Sequence, residues 1–189
     1  MLHSKCRFFI FLALALGVIF VVGVLGGAKV ISDRNTYSTV TMGPVDAPQA
    51  DSPQCRDISA AFPDKASGFR KVDVREPAPA GATAYRNEQA VELTIRCGVN
   101  APDQFTQASI TEDHEGTQWL PIKDATPGSN LSTYYTVGAG PVLAITSEAD
   151  FSGALDDFSS AIASHTDAAA APERKPYPCL LYTSDAADE

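Results

Sequence analysis

Residues 90–97 read Ala-Val-Glu-Leu-Thr-Ile-Arg-Cys, with Val91, Leu93, Ile95 and Cys97 on one parity and Glu92, Thr94 and Arg96 on the other. A period of two over that length predicts a β-strand with one face in a core, and it points Cys97 inward. Upstream, residues 70–75 alternate around Val72 and Val74. A Pro/Gly-rich loop, 76–82, then leads to a short strand at 83–85. Downstream, strands are expected at 118–122, 132–137 and 141–146, each set off by Gly or Pro. Two helices flank these strands. Ile58, Ala61 and Phe62 have helical spacing before Pro63, so a short helix follows Cys55. Phe151, Leu155, Phe158 and Ile162 stand at i, i+4, i+7 and i+11, which predicts an amphipathic helix over 150–163 with Ser147, Glu148 or Asp150 as cap candidates. The fold class expected is α+β: a small, mainly antiparallel sheet with two flanking helices, occupying 54–166.

The N-terminus carries a different signal. Residues 8–28 are twenty-one consecutive positions without a charge or a strong hydrogen-bonding side chain. As a helix they would reach about 31 Å, close to the ~30 Å of a bilayer's hydrocarbon. The reading is a transmembrane signal anchor after a cytoplasmic segment, 1–7, and before an extracytoplasmic stalk, 29–53, rich in Ser, Thr, Asp, Ala and Pro. A cleaved signal peptide is the competing reading, since Gly26, Gly27 and Ala28 are small enough to be cut after, although the run exceeds the usual signal core. Cys55 and Cys97 both follow the span, forty-two positions apart. Outside the membrane they are expected to pair, closing a loop that stabilises the domain by about 4 kcal/mol. The alternative is two reduced core cysteines. Cys6 falls on the cytoplasmic side as a free thiol.

The last eleven residues, Cys179 to Glu189, read CLLYTSDAADE. They are the translation of a transposase-end adaptor used in sequencing libraries, so 179–189 are expected to be an artefact, preceded by a disordered tail at 167–178. Without Asp185, Asp188 and Glu189 the formal charge moves from −9 to −6. Either value speaks against a nucleic-acid partner, because phosphate binding needs clustered Lys and Arg.

Several separated motifs resemble one family. Asp51-Ser52-Pro53-Gln54-Cys55, Glu76-Pro77-Ala78-Pro79-Ala80-Gly81, Arg96-Cys97-Gly98-Val99, Trp119-Leu120 and the run from Asp124 to Thr133 occur in the order found in the actinobacterial domain-of-unknown-function family 3515, especially its corynebacterial branch. The resemblance covers residues 51–146. It implies a membrane-anchored protein of the actinobacterial cell envelope and supports the disulfide, and it brings no activity. Tyr85 and Tyr134 stand where that family commonly carries Trp.

Catalytic motifs are hard to find. There is no Gly-x-Ser-x-Gly elbow and no Ser-x-x-Lys with a later Lys-Thr-Gly. Asp113, His114 and Glu115 read as a solvated hairpin turn rather than as metal ligands, because adjacent positions rarely converge on one ion. His165 reads as a helix C-terminal cation, Asp156 and Asp157 as a polar helix face, and Gly138-Ala139-Gly140-Pro141 as a turn between strands. The candidate binding loop comprises Ser129, Asn130 and Ser132 beside Trp119 and Tyr134, a set suited to glycan or peptide contact. Its bland counterpart is a hairpin with a polar loop and core aromatics. Asn130-Leu131-Ser132 also matches a glycosylation sequon, which presupposes a eukaryotic secretory host. No cofactor and no metal are expected. The function expected is a non-catalytic envelope module binding an envelope protein or cell-wall polymer, with an envelope enzyme of unrecognised motif as the alternative.

Overall fold

A computed structural model describes residues 2–165 apart from Gln107 and Ala139, with side chains described from Leu14 onward. The tail and adaptor expectations at 167–189 lie outside the described residues, as does the side chain of Cys6. The chain divides after Ser38 into two units.

The first unit is one helix, α1 (Leu2–Thr36). Its stretch Leu14–Thr36 is long and apolar enough to cross a membrane, a property shared with signal sequences, and none of it is buried. The helix runs past Ala28 because residues 29–36 contain neither Gly nor Pro to stop it.

The second unit holds α2 (Pro53–Ala61), β1 (Lys65–Ala66), β2 (Phe69–Val72), β3 (Ala82–Arg86), β4 (Glu92–Val99), β5 (Glu112–His114), β6 (Thr117–Lys123), β7 (Ser132–Thr136), β8 (Val142–Ser147) and α3 (Ser152–Ala163). All strand pairs are antiparallel, in the order β1-β2-β3-β4-β8-β7-β6-β5. Two four-stranded meanders therefore meet at β4 and β8, the second returning from the far edge. Residues 100–111 make that crossing.

The α+β expectation holds, with local reasons for each element. Ser52 caps α2 by accepting the Cys55 N–H at 3.1 Å, and Pro53 takes the first helical position, where its missing N–H costs nothing. Leu93, Ile95 and Cys97 are fully buried, as their alternation required. Glu115 and Gly116, both at positive φ, make the tight turn that joins β5 to β6. Both helices cover one face of the sheet. There Phe158 meets Phe62 and Tyr85 edge-on at 5.5 and 5.2 Å. Cys55 and Cys97 form a disulfide across the same layer, joining α2 to the central strand β4 with Cα atoms 5.6 Å apart.

Two expectations need correcting. The stalk expected over 29–53 is not an extended spacer: its first part continues α1, and from Thr39 the chain belongs to the second unit. Val40, Met42 and Ala50 are buried. Val40 donates to the Asp73 carbonyl at 3.0 Å and accepts from the Arg75 N–H at 2.8 Å, forming a parallel bridge with Val74. This strap closes over the face opposite α2 and α3, where Val40 and Met42 pack on Ala84. The domain thus begins at Thr39 rather than at 54. The second correction concerns residues 70–75, whose strand ends at Val72 because Val74 bridges to the strap instead.

Candidate functional site

The loop between β6 and β7 is organised by its own side chains. Asp124 accepts the Thr126 N–H at 3.0 Å and the Thr126 hydroxyl at 2.9 Å. These bonds, with one from Ser129, hold the Asp124 carboxyl below its ordinary range, the Thr126 backbone contributing most. The Ser129 hydroxyl also accepts the Leu131 N–H at 3.2 Å. Gly128 supplies the positive φ, +85°, that the turn demands. Ser129 is therefore part of the loop's scaffold.

Beyond that scaffold the chain forms a hollow of about 310 Å³. Its wall on β6 is Pro121 and Lys123, on the β6–β7 loop it is Asn130, on β7 it is Ser132 and Tyr134, and on the segment entering α3 it is Glu148, Ala149 and Asp150. Alternation places Ser132 and Tyr134 on the same face of β7, paired with Lys123 and Pro121 of β6. The Tyr134 ring is braced edge-on by Phe151 at 5.2 Å. Burial pushes the Tyr134 phenol up, and the charges of Glu112 and Asp150 add to the effect, so it stays a neutral donor. Asp150 accepts the Ser152 N–H at 3.0 Å at the start of α3, and hydrogen bonds from Ser152 keep its carboxyl ionised to lower pH than usual. Among the described residues, Lys123, Asn130, Ser132 and Glu148 make no side-chain hydrogen bond or ion pair, and the Tyr134 hydroxyl makes no hydrogen bond. A larger hollow, about 450 Å³, opens on the other side of Glu148 and is lined in part by Thr94, Thr146 and Leu131.

Of the residues expected at the binding loop, the fold brings Asn130, Ser132 and Tyr134 together. Trp119 leaves the set. It is fully buried, and its indole N–H donates to the Ser159 hydroxyl of α3 at 2.8 Å. Trp119 shares a face with Tyr134, but it sits opposite Thr136, where α3 covers the sheet. Lys123, Glu148 and Asp150 were not among the expected binding residues. Lys123 ends β6 and Glu148 follows β8, so only the pairing of β6, β7 and β8 assembles them. The faint signal available was that Lys123 is the only Lys or Arg between residues 99 and 165.

The other singled-out residues take structural places. His114 Nδ1 lies 2.7 Å from Asp156 Oδ1 and its Nε2 3.7 Å from Glu112 Oε2, tying the β5–β6 hairpin to α3. Arg96 donates to the Gly43 carbonyl of the strap at 2.8 Å, and burial lowers its pKa. Three strands separate β4, which carries Arg96, from β5, which carries His114. His165 Nδ1 lies 3.0 Å from the Ala161 carbonyl at the end of α3. Among the described residues no group of three or more His, Cys, Asp or Glu side chains is arranged to hold a metal.

A family model described as "Protein of unknown function (DUF3515)" matches residues 14–171, a span that takes in α1 from Leu14 onward, the strap and the whole sheet. No curated protein matches the chain, and no solved structure does.

Proposed function

Because this chain belongs to the DUF3515 family of proteins of unknown function, membership supplies no activity, and we propose from its own chemistry that it is a membrane-anchored, extracytoplasmic binding module of the cell envelope with no catalytic role. The observation that carries this reading is the hollow lined by Asn130, Ser132, Tyr134, Lys123 and Glu148, polar side chains that have no hydrogen-bond or ion-pair partner among the described residues. Groups left uncommitted on a rigid sheet are suited to meeting a ligand.

Location is supported separately. An apolar helix as exposed as Leu14–Thr36 is unfavourable in water and is accommodated by a bilayer. A structural disulfide such as Cys55–Cys97 persists in an oxidising compartment. The pKa shifts favour binding over acid-base catalysis: Asp124 and Asp150 are shifted by caps within their own turns, and Tyr134 by burial beside carboxylates. An envelope protein and a cell-wall polymer are the partner classes this reading accommodates, and the net charge of −9 disfavours nucleic acid.

The test is site-specific photo-crosslinking of the full chain in its native membrane. A photoreactive residue replaces Asn130 in one variant and the exposed edge residue Lys65 in another. The reading expects a reproducible adduct from position 130 that position 65 does not give. Equal adducts from both positions, or none from 130, would overturn it.

A further inference from the structure

The occupant of this hollow can be narrowed by charge, an inference that rests on the binding reading above. From residue 99 to 165 the chain carries nine Asp and Glu residues and only one Lys or Arg, Lys123. From 39 to 98 it carries eight and seven. Because the first four strands form one half of the sheet and the last four the other, this sequence asymmetry is a spatial one for the strands and their loops, while α3 spans both halves and its Asp157 accepts from Ser67 at 3.3 Å. The hollow belongs to the acidic half.

Within it, Glu148 and Asp150 come from the segment entering α3, across from Lys123 at the end of β6. Asp150 commits Oδ1 to Ser152, while Glu148 is uncommitted among the described residues. The rest of the lining is apolar surface, the Pro121 and Tyr134 rings and the Ala149 methyl, and two neutral groups that can donate and accept, the Asn130 amide and the Ser132 hydroxyl.

We infer that the hollow binds a cationic peptide segment of a protein partner. Glu148 and Asp150 face its Lys or Arg head, the Tyr134 and Pro121 rings pack along the aliphatic stem, Asn130 and Ser132 meet the peptide's amides and carbonyls, and Lys123 opposes the cationic charge. An anionic polymer, phosphate-bearing or uronic, would enter against the field of the whole acidic half.

The experiment uses the full chain in zwitterionic lipid nanodiscs. The probe is a fluorescein-labelled peptide in which Lys alternates with Ala, compared with a counterpart carrying Glu for Lys, and binding is followed by anisotropy against empty nanodiscs. The Lys peptide is expected to bind and the Glu peptide not to. Added salt should weaken the affinity. Glu148→Gln should lower it by about threefold, and Lys123→Glu should raise it by a similar factor, as expected for partly exposed ion pairs. Hydrogen exchange at 121–134 and 148–150 should slow when the peptide binds. No binding above empty nanodiscs, or an affinity unchanged by both substitutions, overturns the inference. An adduct at position 130 that proves to be a neutral or anionic polymer overturns it too, while leaving the binding reading intact. Absence of any adduct there removes the binding reading itself.

Discussion

The two halves of the sheet are built to different ends. In the first, β1 to β4, covalent and close-packed constraints accumulate. The disulfide pins α2 to β4. The strap is drawn onto the opposite face, with Gln49 donating to the Gly98 carbonyl at 3.1 Å, and Arg86 pairs with Glu92. In the second half, β5 to β8, the loop ends carry capped turns, uncommitted polar groups and a large excess of carboxylates. Both halves share one core through Phe158, Leu155 and Trp119. The difference is one of constraint and charge: the first half carries the disulfide and the strap, and the second the larger excess of carboxylates.

That contrast can be broken most severely at the disulfide. Reduction, or Cys55→Ala with Cys97→Ala, should destabilise the domain by about 4 kcal/mol, since the bridge closes a loop of forty-two positions. Chemical denaturation of the full chain with and without reductant measures it, and an unchanged midpoint would show that the first half does not depend on its bridge.

A smaller loss is expected from Gly98→Ala. A Cβ there would lie 2.3 Å from the Ala50 backbone nitrogen, and the residue sits at φ +81°. The strap must move or the strand must bend, at about 3 kcal/mol. Gly128→Ala in the second half has open space around it and only its φ of +85° to resist, so about 1 kcal/mol is expected. Thermal melts of the two variants should separate them. Equal losses would mean that the strap is not held where the Gly98 contact implies.

The smallest effect is on pH dependence, where the depressed carboxylates of the second half and the raised Tyr85 of the first should respond at opposite ends of the scale, with Tyr134 of the second half, also raised by burial, adding to the alkaline limb. Asp124 and Asp150 have folded pKa values below their ordinary ones, so their contribution is present above the ordinary carboxylate range and fades as pH falls through the depressed values. Tyr85 is raised by burial, with Asp64 adding to it, while its hydroxyl donates to the Pro63 carbonyl at 2.7 Å. Its contribution is complete below the ordinary tyrosine range and is lost as pH climbs above that range. Asp124→Asn combined with Asp150→Asn should flatten the acid limb of a stability profile and leave the alkaline limb alone, whereas Tyr85→Phe should do the reverse. Crossed effects would contradict the assignment of these groups to separate halves.

Much of this was legible beforehand, for a reason particular residues make clear. Where one face of an element is buried and the other wet, side-chain period reports both type and orientation. Leu93, Ile95 and Cys97 announced β4, and Phe151, Leu155, Phe158 and Ile162 announced α3. An uncharged run from Phe8 to Ala28 required nothing beyond counting. Residues 39–50 escaped notice because their apolar members, Val40 and Met42, make one alternation too short to stand out among Thr, Gly and Pro. Trp119 was misplaced among binding residues because its strand is buried on both sides at Trp119 and Leu120, so no alternation marked which side met a helix.

Local pattern by itself determined the apolar helix, the α+β class, the inward Cys97 and a polar loop after β6, since each depends on neighbours within a few residues. The order of the strands, the strap over the face opposite α2 and α3, the burial of Trp119 beneath α3 and the gathering of Lys123, Glu148 and Asp150 around one hollow were decided only by tertiary structure. Each joins residues far apart in the chain, and the energies that select such pairings come from packing and register that no local window contains.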